Sequence, residues 1–564
     1  RAPGQQVFIP EWRLVIDQHD VPAGLHHLER VEDPRAQVLD HLAAAVDDHA
    51  AAARAAAEPR LLGELDPSPV RVRWELAADE SMRHVVASGV ESAAPEWAHS
   101  VHVEAKGLAP GRPYWYRFMA GDAVSRVGRT RTAPRRDARV ERLRFAFASC
   151  QQYEQGYYGA WRHVVADDPD LVVFLGDYIY ESSWGREHVR AQDPGEPYSL
   201  DEYRTRYACY KSDPDLQAAH AACPWLLTWD DHEVDNDYAN DRPEDGMPRS
   251  RFLARRAAAY RAYYEHMPLP ARMRPHGPHM RIYTQLGWGP LARVYLLDDR
   301  QYRAYQVCPR KHGGGSVVSD AECPERIDPR RSMLGARQES WLERAFAGSN
   351  AGWNIVAQQT LMAQFARGTG TARRFWTDGW DGYPAARRKL LESMMRRRLA
   401  NPVVIGGDVH FHAVADLKAD FDDPAAPVVA TEFCGTSITS QSRAQAELDA
   451  SRADNPHVKL ADGRIIDGEK FVVLTDNWTG DHVDFRASLL GQATTGTVDV
   501  FRGGGDGLDV HLWKGTASVR DLSSLLAPVG PVPTAAPGVV DTIVALTAAA
   551  AYTQTAANVT VVPS

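Results

Sequence analysis

Cysteine is scarce in this chain: six in 564 residues, too few for a disulfide scaffold, so each thiol is read singly as a bridge, a ligand or a small core residue. A strong charge of one sign is also lacking. Sixty-four Lys and Arg stand against 74 Asp and Glu, a net of −10, and so thin an acidic excess gives nothing that would hold nucleic acid as a stable partner. Long apolar runs are missing too. Apart from the C-terminal tail, no uncharged stretch reaches the roughly 18 residues of a membrane span, so no stable membrane insertion is expected. The chain opens at Arg1 without a basic segment followed by an apolar one, and is expected to be a mature, trimmed or cytosolic form in which any export signal is out of view. What is present, 44% hydrophobic and 24% charged residues, is ordinary globular composition, and the length predicts two to four domains. Nothing in the sequence sets an oligomeric state.

Residues 1–65 carry no assignable pattern; the stretch Leu39 to Arg60 is alanine-rich, with Asp and His scattered through it. From about Val70 apolar residues alternate: Val70, Val72 and Trp74, then Val101 and Val103, then Tyr114, Tyr116 and Phe118 against Trp115 and Arg117. Period two predicts short antiparallel strands, with a turn over Leu108 to Tyr114 and a tyrosine hydroxyl returning to a nearby backbone group. Residues 66–136 thereby resemble a small fibronectin-III-like β-sandwich, closed by a polar linker at Arg135, Arg136 and Asp137.

Beyond the linker, alternation gives way to short continuous apolar runs, the pattern of strands buried on both faces. Six of these runs end alike. Arg144 to Ser149 leads into Cys150, Leu171 to Leu175 into Gly176-Asp177, and Trp225 to Trp229 into Asp230-Asp231-His232. Arg293 to Leu297 leads into Asp298-Asp299-Arg300, Asn354 to Ala357 into Gln358-Gln359, and Val403 to Ile405 into Gly406-Gly407-Asp408-Val409-His410. A strand that stops at a polar or glycine-rich loop puts that loop at the carboxyl edge of a sheet, where open α/β sheets gather ligands. Helical patterns lie between, at Arg337 to Phe346 and Ala385 to Leu399.

Taken singly, each of these residues has a plainer reading: Cys150 as core, Tyr180 as packing, Gly176-Asp177 as a turn, Asp230-Asp231-His232 as a helix cap with a surface histidine. Taken jointly, residues that all follow directly after apolar strands describe one site. Asp177 and Tyr180 are three residues apart and turn toward one point if the segment curls. Thiolate, phenolate and carboxylate together select a redox-capable, charge-dense transition metal. Asp231, Asp408 and His410 add oxygen and nitrogen, enough for two cations roughly 3.5 to 4 Å apart that would clamp a phosphoryl group.

The runs Ser149-Cys150-Gln151, Leu175-Gly-Asp177-Tyr-Ile-Tyr180-Glu181, Trp229-Asp-Asp231-His232-Glu233, Asp299-Arg300-Gln301-Tyr302 and Gly407-Asp408-Val-His410 resemble the PhoD-like, or alkaline phosphatase D, family over roughly Pro69 to His511. The resemblance implies an α/β metallophosphoesterase-like four-layer sandwich over residues 137–525. It implies ferric iron held by Cys150, Asp177, Tyr180 and His410, and a second ion, usually calcium, facing Asp177, Asp231 and Asp408; one or two calcium ions, zinc or another divalent ion would suit that position. The expected reaction is hydrolysis of a small phosphate ester by in-line attack of a metal-bound hydroxide. His232 would protonate the leaving oxygen or hold the phosphoryl group, Arg300 would clamp phosphate oxygens, and Asn236 would stand behind the ligands. Family members leave the cell by the twin-arginine route, which implies a secreted or periplasmic enzyme, and they act on monoesters, diesters or phospholipids; phosphodiesterase or phospholipase D activity on the same site is therefore the alternative.

The sequence departs from the family at both ends. No Gly-Val-Ala-Ser-Gly-Asp type of strand precedes Pro69, and residues 526–564 are a Pro, Ala, Val and Thr tail with one charge, Asp541, expected to form a surface arm or strand. Closing strands are expected over Glu469 to Leu474 and Asp481 to Leu490. Short separations predict bridges Cys209–Cys223 and Cys308–Cys323, with Cys434 free and buried. Two rivals remain at this level. A redox iron enzyme would need an open iron position and no neighbouring hard ion, against the carboxylates at Asp231 and Asp408. A secreted binding protein with a dead catalytic domain sits poorly with intact Asp177, Asp231, His232 and His410.

Overall fold

The computed structural model describes residues 68–185 and 188–441, parts of 451–473, and the backbone of 543–545. Residues 1–65, the strand expected over 481–490 and the rest of the tail lie outside the described residues. Five strands come first: β1 (Val70–Ala77), β2 (Val85–Ala93), β3 (Pro113–Ala120), β4 (Ala123–Val124) and β5 (Gly128–Arg131). They make one antiparallel sheet in the order β2-β1-β3-β4, with β5 also paired to β3. Alternation does the work read from the sequence: Val72, Tyr114, Tyr116 and Phe118 are buried in one cluster, while Glu75 and Arg117, cross-strand partners, form an ion pair on the other face. The Tyr114 hydroxyl donates to Ala109 O at 3.1 Å. Val101 and Val103 join the cluster from a segment outside the named strands, where burial rather than pairing accounts for their alternation.

The rest of the chain builds two larger sheets. β6 (Phe145–Ala148), β7 (Leu171–Phe174) and β8 (Trp225–Leu227) are parallel neighbours. β9 (Thr284–Trp288) and β10 (Ala292–Leu296) form a hairpin. β11 (Val317–Val318) pairs with β13 (Phe375–Trp376) in a small ribbon of its own. β12 (Trp353–Ala357) and β14 (Pro402–Gly406) extend β10 in parallel, and β15 (His412–Lys418), β16 (Val428–Cys434), β17 (Val458–Ile466) and β18 (Glu469–Val473) complete an eight-stranded sheet ordered β18-β17-β15-β16-β14-β12-β10-β9. From the tail, β19 (Ile543–Ala545) lies parallel to β6, which makes the order of the other sheet β19-β6-β7-β8.

All six apolar runs are parallel strands, but they are divided three and three between two sheets, not lined along one. Period two explains the layering. Phe145, Phe147, Leu171 and Val173 point at Val294, Leu296, Ile355, Val403 and Ile405 of the facing sheet. The intervening Ala146, Ala148, Val172 and Phe174 point outward, under aromatic residues of helices Leu200–Lys211 and Arg249–His266. On the far side, Tyr295, Val356 and Val404 pack under helices Gly335–Ala347 and Pro384–Arg397. Each fully buried side chain of this size contributes roughly 1.5–3 kcal/mol, and the buried polar Asn354 within β12 is hydrogen-bonded to Tyr295 and Ala400 O. Local chemistry punctuates the helices. Ser199 and Glu202 form a capping box at the start of Leu200–Lys211, and Asp213 caps Pro214–Ala222 with proline at its first position.

Cys308 and Cys323 form a disulfide; Cys209 and Cys223 do not, which corrects the bridge expected there. Cys209 sits inside Leu200–Lys211, whereas Cys223 lies beyond the end of Pro214–Ala222. That nine-residue helix advances the chain by about 13 Å, while a bridge needs α-carbons within roughly 7 Å. Cys434 is free and buried, as its apolar surroundings required. No helix among the described residues is long and apolar enough to cross a membrane.

Denaturing without reductant and then alkylating should label Cys150, Cys209, Cys223 and Cys434 and leave Cys308 and Cys323 unmodified by mass spectrometry. Replacing both bridged cysteines by serine should lower stability in urea by about 3 kcal/mol, the value for a loop of this length.

Candidate active site

The loops that follow β6, β7, β8 and β14 meet where the carboxyl edges of the two sheets come together. Close approach is what the glycines there permit. At Gly176 (φ 111°) any β-carbon would run into the backbone of Asp230, and at Gly407 it would strike the side chain of Ser149. The residues beside them are bent as sharply: Cys150, Asp177, Asp408 and His410 all have positive φ, between 57° and 67°. Left-handed backbone in a non-glycine residue costs on the order of 1–3 kcal/mol and persists only where the surroundings over-determine it.

Those surroundings are identifiable. The buried Glu233 carboxylate accepts from the backbone N–H of Asp177 (3.2 Å), Tyr178 (2.6 Å) and Asp230 (2.8 Å), pinning the β7 and β8 turns to each other. Gln359 reaches between the sheets, donating to Thr228 Oγ1 and Trp229 O, each at 2.8 Å, and accepting from Asp299 N at 3.2 Å. The segment after β16 crosses to the first sheet, where Ser440 Oγ lies 2.9 Å from Cys150 O and 2.7 Å from the Tyr180 hydroxyl, with one proton to donate to either.

Cys150, Asp177 and His410 each bring one donor atom within 4.8 Å of the others, and so do Asp177, Asp231 and His232. Asp177 belongs to both groups. The Tyr180 hydroxyl donates to Asp177 Oδ2 at 2.9 Å and lies 3.3 Å from His410 Nε2. Asp408 belongs to neither group; its Oδ2 accepts from Thr360 Oγ1 at 2.6 Å, and it is close enough to raise the Cys150 and Asp177 pKa values electrostatically. Trp184 stacks on the His410 ring at 5.6 Å, and His410 Nδ1 is 2.9 Å from Gln441 O, which turns Nε2 toward Tyr180. His232 lies 4.1 Å from the Tyr180 ring, with Nδ1 2.6 Å from Glu181 Oε2.

Burial and mutual repulsion dominate the electrostatics. Burial first, then the neighbouring anions, push Asp177 far above the carboxylate range and raise the Cys150 thiol and the Tyr180 phenol. Asp408 is pushed up to about 6 by burial, against the pull of Arg300. Asp177 Oδ1 is buried without a hydrogen-bond partner among the described residues. A thiol, a phenol, an imidazole and carboxylates that cannot all ionise beside one another, together with an orphaned carboxylate oxygen, fit multivalent cations, because only such a charge would let them ionise together.

The comparisons with known proteins show the family. The PhoD-like phosphatase family matches residues 145–472, and the N-terminal domain of PhoD-like phosphatases matches residues 48–134. The chain belongs to the PhoD-like phosphatase family. It is 44% identical over 417 residues to alkaline phosphatase D of Bacillus subtilis (strain 168), covering 72% of this chain and 70% of that protein. A solved structure described as the structure of PhoD is also 44% identical, with a TM-score of 0.67 over 70% of this chain and 76% of the other.

In this PhoD-like chain Arg300 stands apart from its expected role. Its guanidinium is buried, and the fork meant for phosphate is already filled: Nε donates to Asp230, Nη1 donates to Asp378 Oδ2 at 2.6 Å, and Nη2 lies 3.4 Å from Asp231 Oδ2. The side chain therefore holds carboxylates of the site in place instead of facing the cleft. A third acidic trio, Asp231, Asp237 and Asp378, is compensated by Arg300, Arg303 and Arg310 and so differs in kind from the first two. Asn236 donates to Glu244 Oε2 at 2.6 Å, with its backbone N–H on Glu181. Sequence reasoning passed over Glu181 and Glu233, although each directly follows a chosen residue. Thr360, Asp378 and Ser440 carried no local signal, since the site partners they hold lie 48 to 290 residues away.

Arg300→Met should destabilise the fold by about 3–5 kcal/mol in urea titrations, because it strands buried carboxylates. Tyr180→Phe should leave stability nearly unchanged while lowering the metal retained after dialysis, as read by elemental analysis.

Proposed function

We propose that this chain is an exported, metal-dependent phosphatase that hydrolyses small phosphate esters at the joined carboxyl edges of its two sheets. The observation that carries the reading is the convergence of Cys150, Asp177, Tyr180 and His410 on one point, with Asp231 and His232 sharing Asp177 as a neighbour. Cys150, Asp177, Tyr180 and His410 would hold ferric iron, and Asp177, Asp231 and Asp408 would face a calcium or other divalent ion. When bound, such ions lower the pKa of water and draw charge from phosphoryl oxygens.

The chain's own residues do the remaining work. His232 is placed to donate a proton to the departing alkoxide. Burial works against its charge, while the neighbouring Glu181, Asp177 and Asp231 carboxylates raise its pKa above the usual histidine value. With Nδ1 engaged by Glu181, Nε2 is the nitrogen from which that proton leaves. Arg300 acts one step back, keeping Asp230, Asp231 and Asp378 in register.

We read the helix, sheet, sheet, helix order of the cores as the four-layer metallophosphoesterase-like sandwich, and the five-stranded module with its Tyr114 tether as fibronectin-III-like. The Cys308–Cys323 bridge supports export, because such bridges persist in oxidising compartments.

Hydrolysis of an aryl phosphate, measured with and without chelator, tests the whole reading: activity lost to chelator and restored by iron with calcium is expected, and full activity in metal-free protein refutes it. His232→Ala should lower kcat by roughly 100-fold to 10,000-fold with metal content unchanged, most for alkyl leaving groups and least for activated aryl esters. Concentrated protein should be coloured by phenolate-to-iron charge transfer, and Tyr180→Phe should bleach it.

A further inference from the structure

At the opposite end of β7 and β8 lies a cavity of about 820 Å³ that the reaction does not use. It is lined by Leu171 and Trp225, the first residues of those strands, by β5, and by the β9 to β10 hairpin. Strand β7 has four residues, so about 13 Å of strand separates this cavity from the loops that carry Asp177. It is therefore a second compartment, formed where the N-terminal sheet docks on the catalytic sheets.

Its chemistry is one-sided. Seven lining side chains are Lys or Arg and two are Asp. Both aspartates are taken, Asp170 by Arg131 and Asp137 by Arg135, and Arg129 pairs with Asp168. Lys106, Arg136, Arg272 and Arg293 line the cavity with no carboxylate partner recorded among the described residues. Deeper in, Arg131 Nε is buried without a partner, although the same side chain is half-buried and ion-paired through Nη1. His220 is buried, stacks on Trp225 at 3.8 Å and leaves Nδ1 unpartnered. The floor is apolar and flat: Trp225 on one side, and on the other Trp288, whose ring lies 5.1 Å beneath the Arg131 guanidinium.

A cationic rim beside two indoles describes a site for a molecule with an acidic head and a flat apolar body, and the volume is that of a small-ligand pocket. We propose that this interdomain cavity binds an amphipathic organic anion, its carboxylate, sulfonate or phosphate head held by Arg131 and the rim of Lys106, Arg136 and Arg272, and its apolar body lying against Trp225 and Trp288. Nothing in the catalytic chemistry requires it, so ligand binding and turnover are separable.

The test uses 8-anilinonaphthalene-1-sulfonate as the probe on the full-length protein, with binding followed by fluorescence and calorimetry. The wild type should bind the dye saturably at one site. Lys106→Glu with Arg272→Glu should weaken binding at least about 10-fold while aryl phosphate turnover stays unchanged, and uncharged N-phenyl-1-naphthylamine should bind at least about 10-fold more weakly than the sulfonate. Arg136→Glu repeats the measurement at a separate exposed position should the double variant fail to fold. No saturable binding to wild type at about 1 mM dye, unchanged affinity in the charge variants, or equal affinity for the neutral dye would overturn the proposal. Purely competitive inhibition of aryl phosphate hydrolysis would place the dye in the catalytic cleft and overturn it equally.

Discussion

Buried negative charge governs this molecule. Asp177, Asp230, Asp231, Asp237, Asp378, Asp408 and Glu233 crowd the joined carboxyl edges, all nearly inaccessible to water apart from the partly buried Asp408. Taking one unpaired carboxylate out of water costs several kcal/mol, so a fold that gathers so many must supply compensation on the spot. Arg300 supplies most of it from a single buried guanidinium bound to Asp230, Asp231 and Asp378, and Arg303 adds a second contact to Asp378. The charge left uncompensated is concentrated at Asp177 and its neighbours, where the ligand-forming atoms converge. The arginines thus leave the candidate metal-binding groups clustered at Asp177.

Holding such a site requires rigidity, because its backbone is strained at Cys150, Asp177, Asp408 and His410. The restraint is distributed over groups that touch no reacting atom. Glu233 fixes the β7 and β8 turns, Gln359 ties β8 to β10 and β12, and Ser440 draws the segment after β16 onto Cys150 and Tyr180. Positioning of this kind lowers the reorganisation a site needs at the moment of reaction.

The N-terminal sheet docks at the other end of the same strands. Arg129 donates to Ala222 O at 2.7 Å, Arg131 pairs with Asp170 at the start of β7, and Glu104 accepts from Ala271 N at 2.8 Å. The Trp97 and His102 rings add aromatic contacts to Tyr264, and the junction leaves the carboxyl edges clear. One set of strands therefore serves two purposes: catalytic loops at one end and a domain junction with its cationic cavity at the other.

The sequence by itself determined the six apolar runs, the helices at Gly335–Ala347 and Pro384–Arg397, and the polar ends of those runs. Apolar runs such as Val172 to Leu175 are local patterns, and burial on both faces favours that composition. The alternation of Tyr114, Tyr116 and Phe118 was legible for the same reason, as was the freedom of Cys434 from any bridge. Only the tertiary structure decided which strands share a sheet, because pairing depends on contacts far apart in the chain and a run like Val403 to Ile405 reads the same in either sheet. It also decided that Arg300 faces aspartates and not the cleft, that Cys209 and Cys223 stay apart, and that Ser440 supports Tyr180. A side chain's partner is set by what the fold brings to it across tens or hundreds of residues, and no local spacing encodes that.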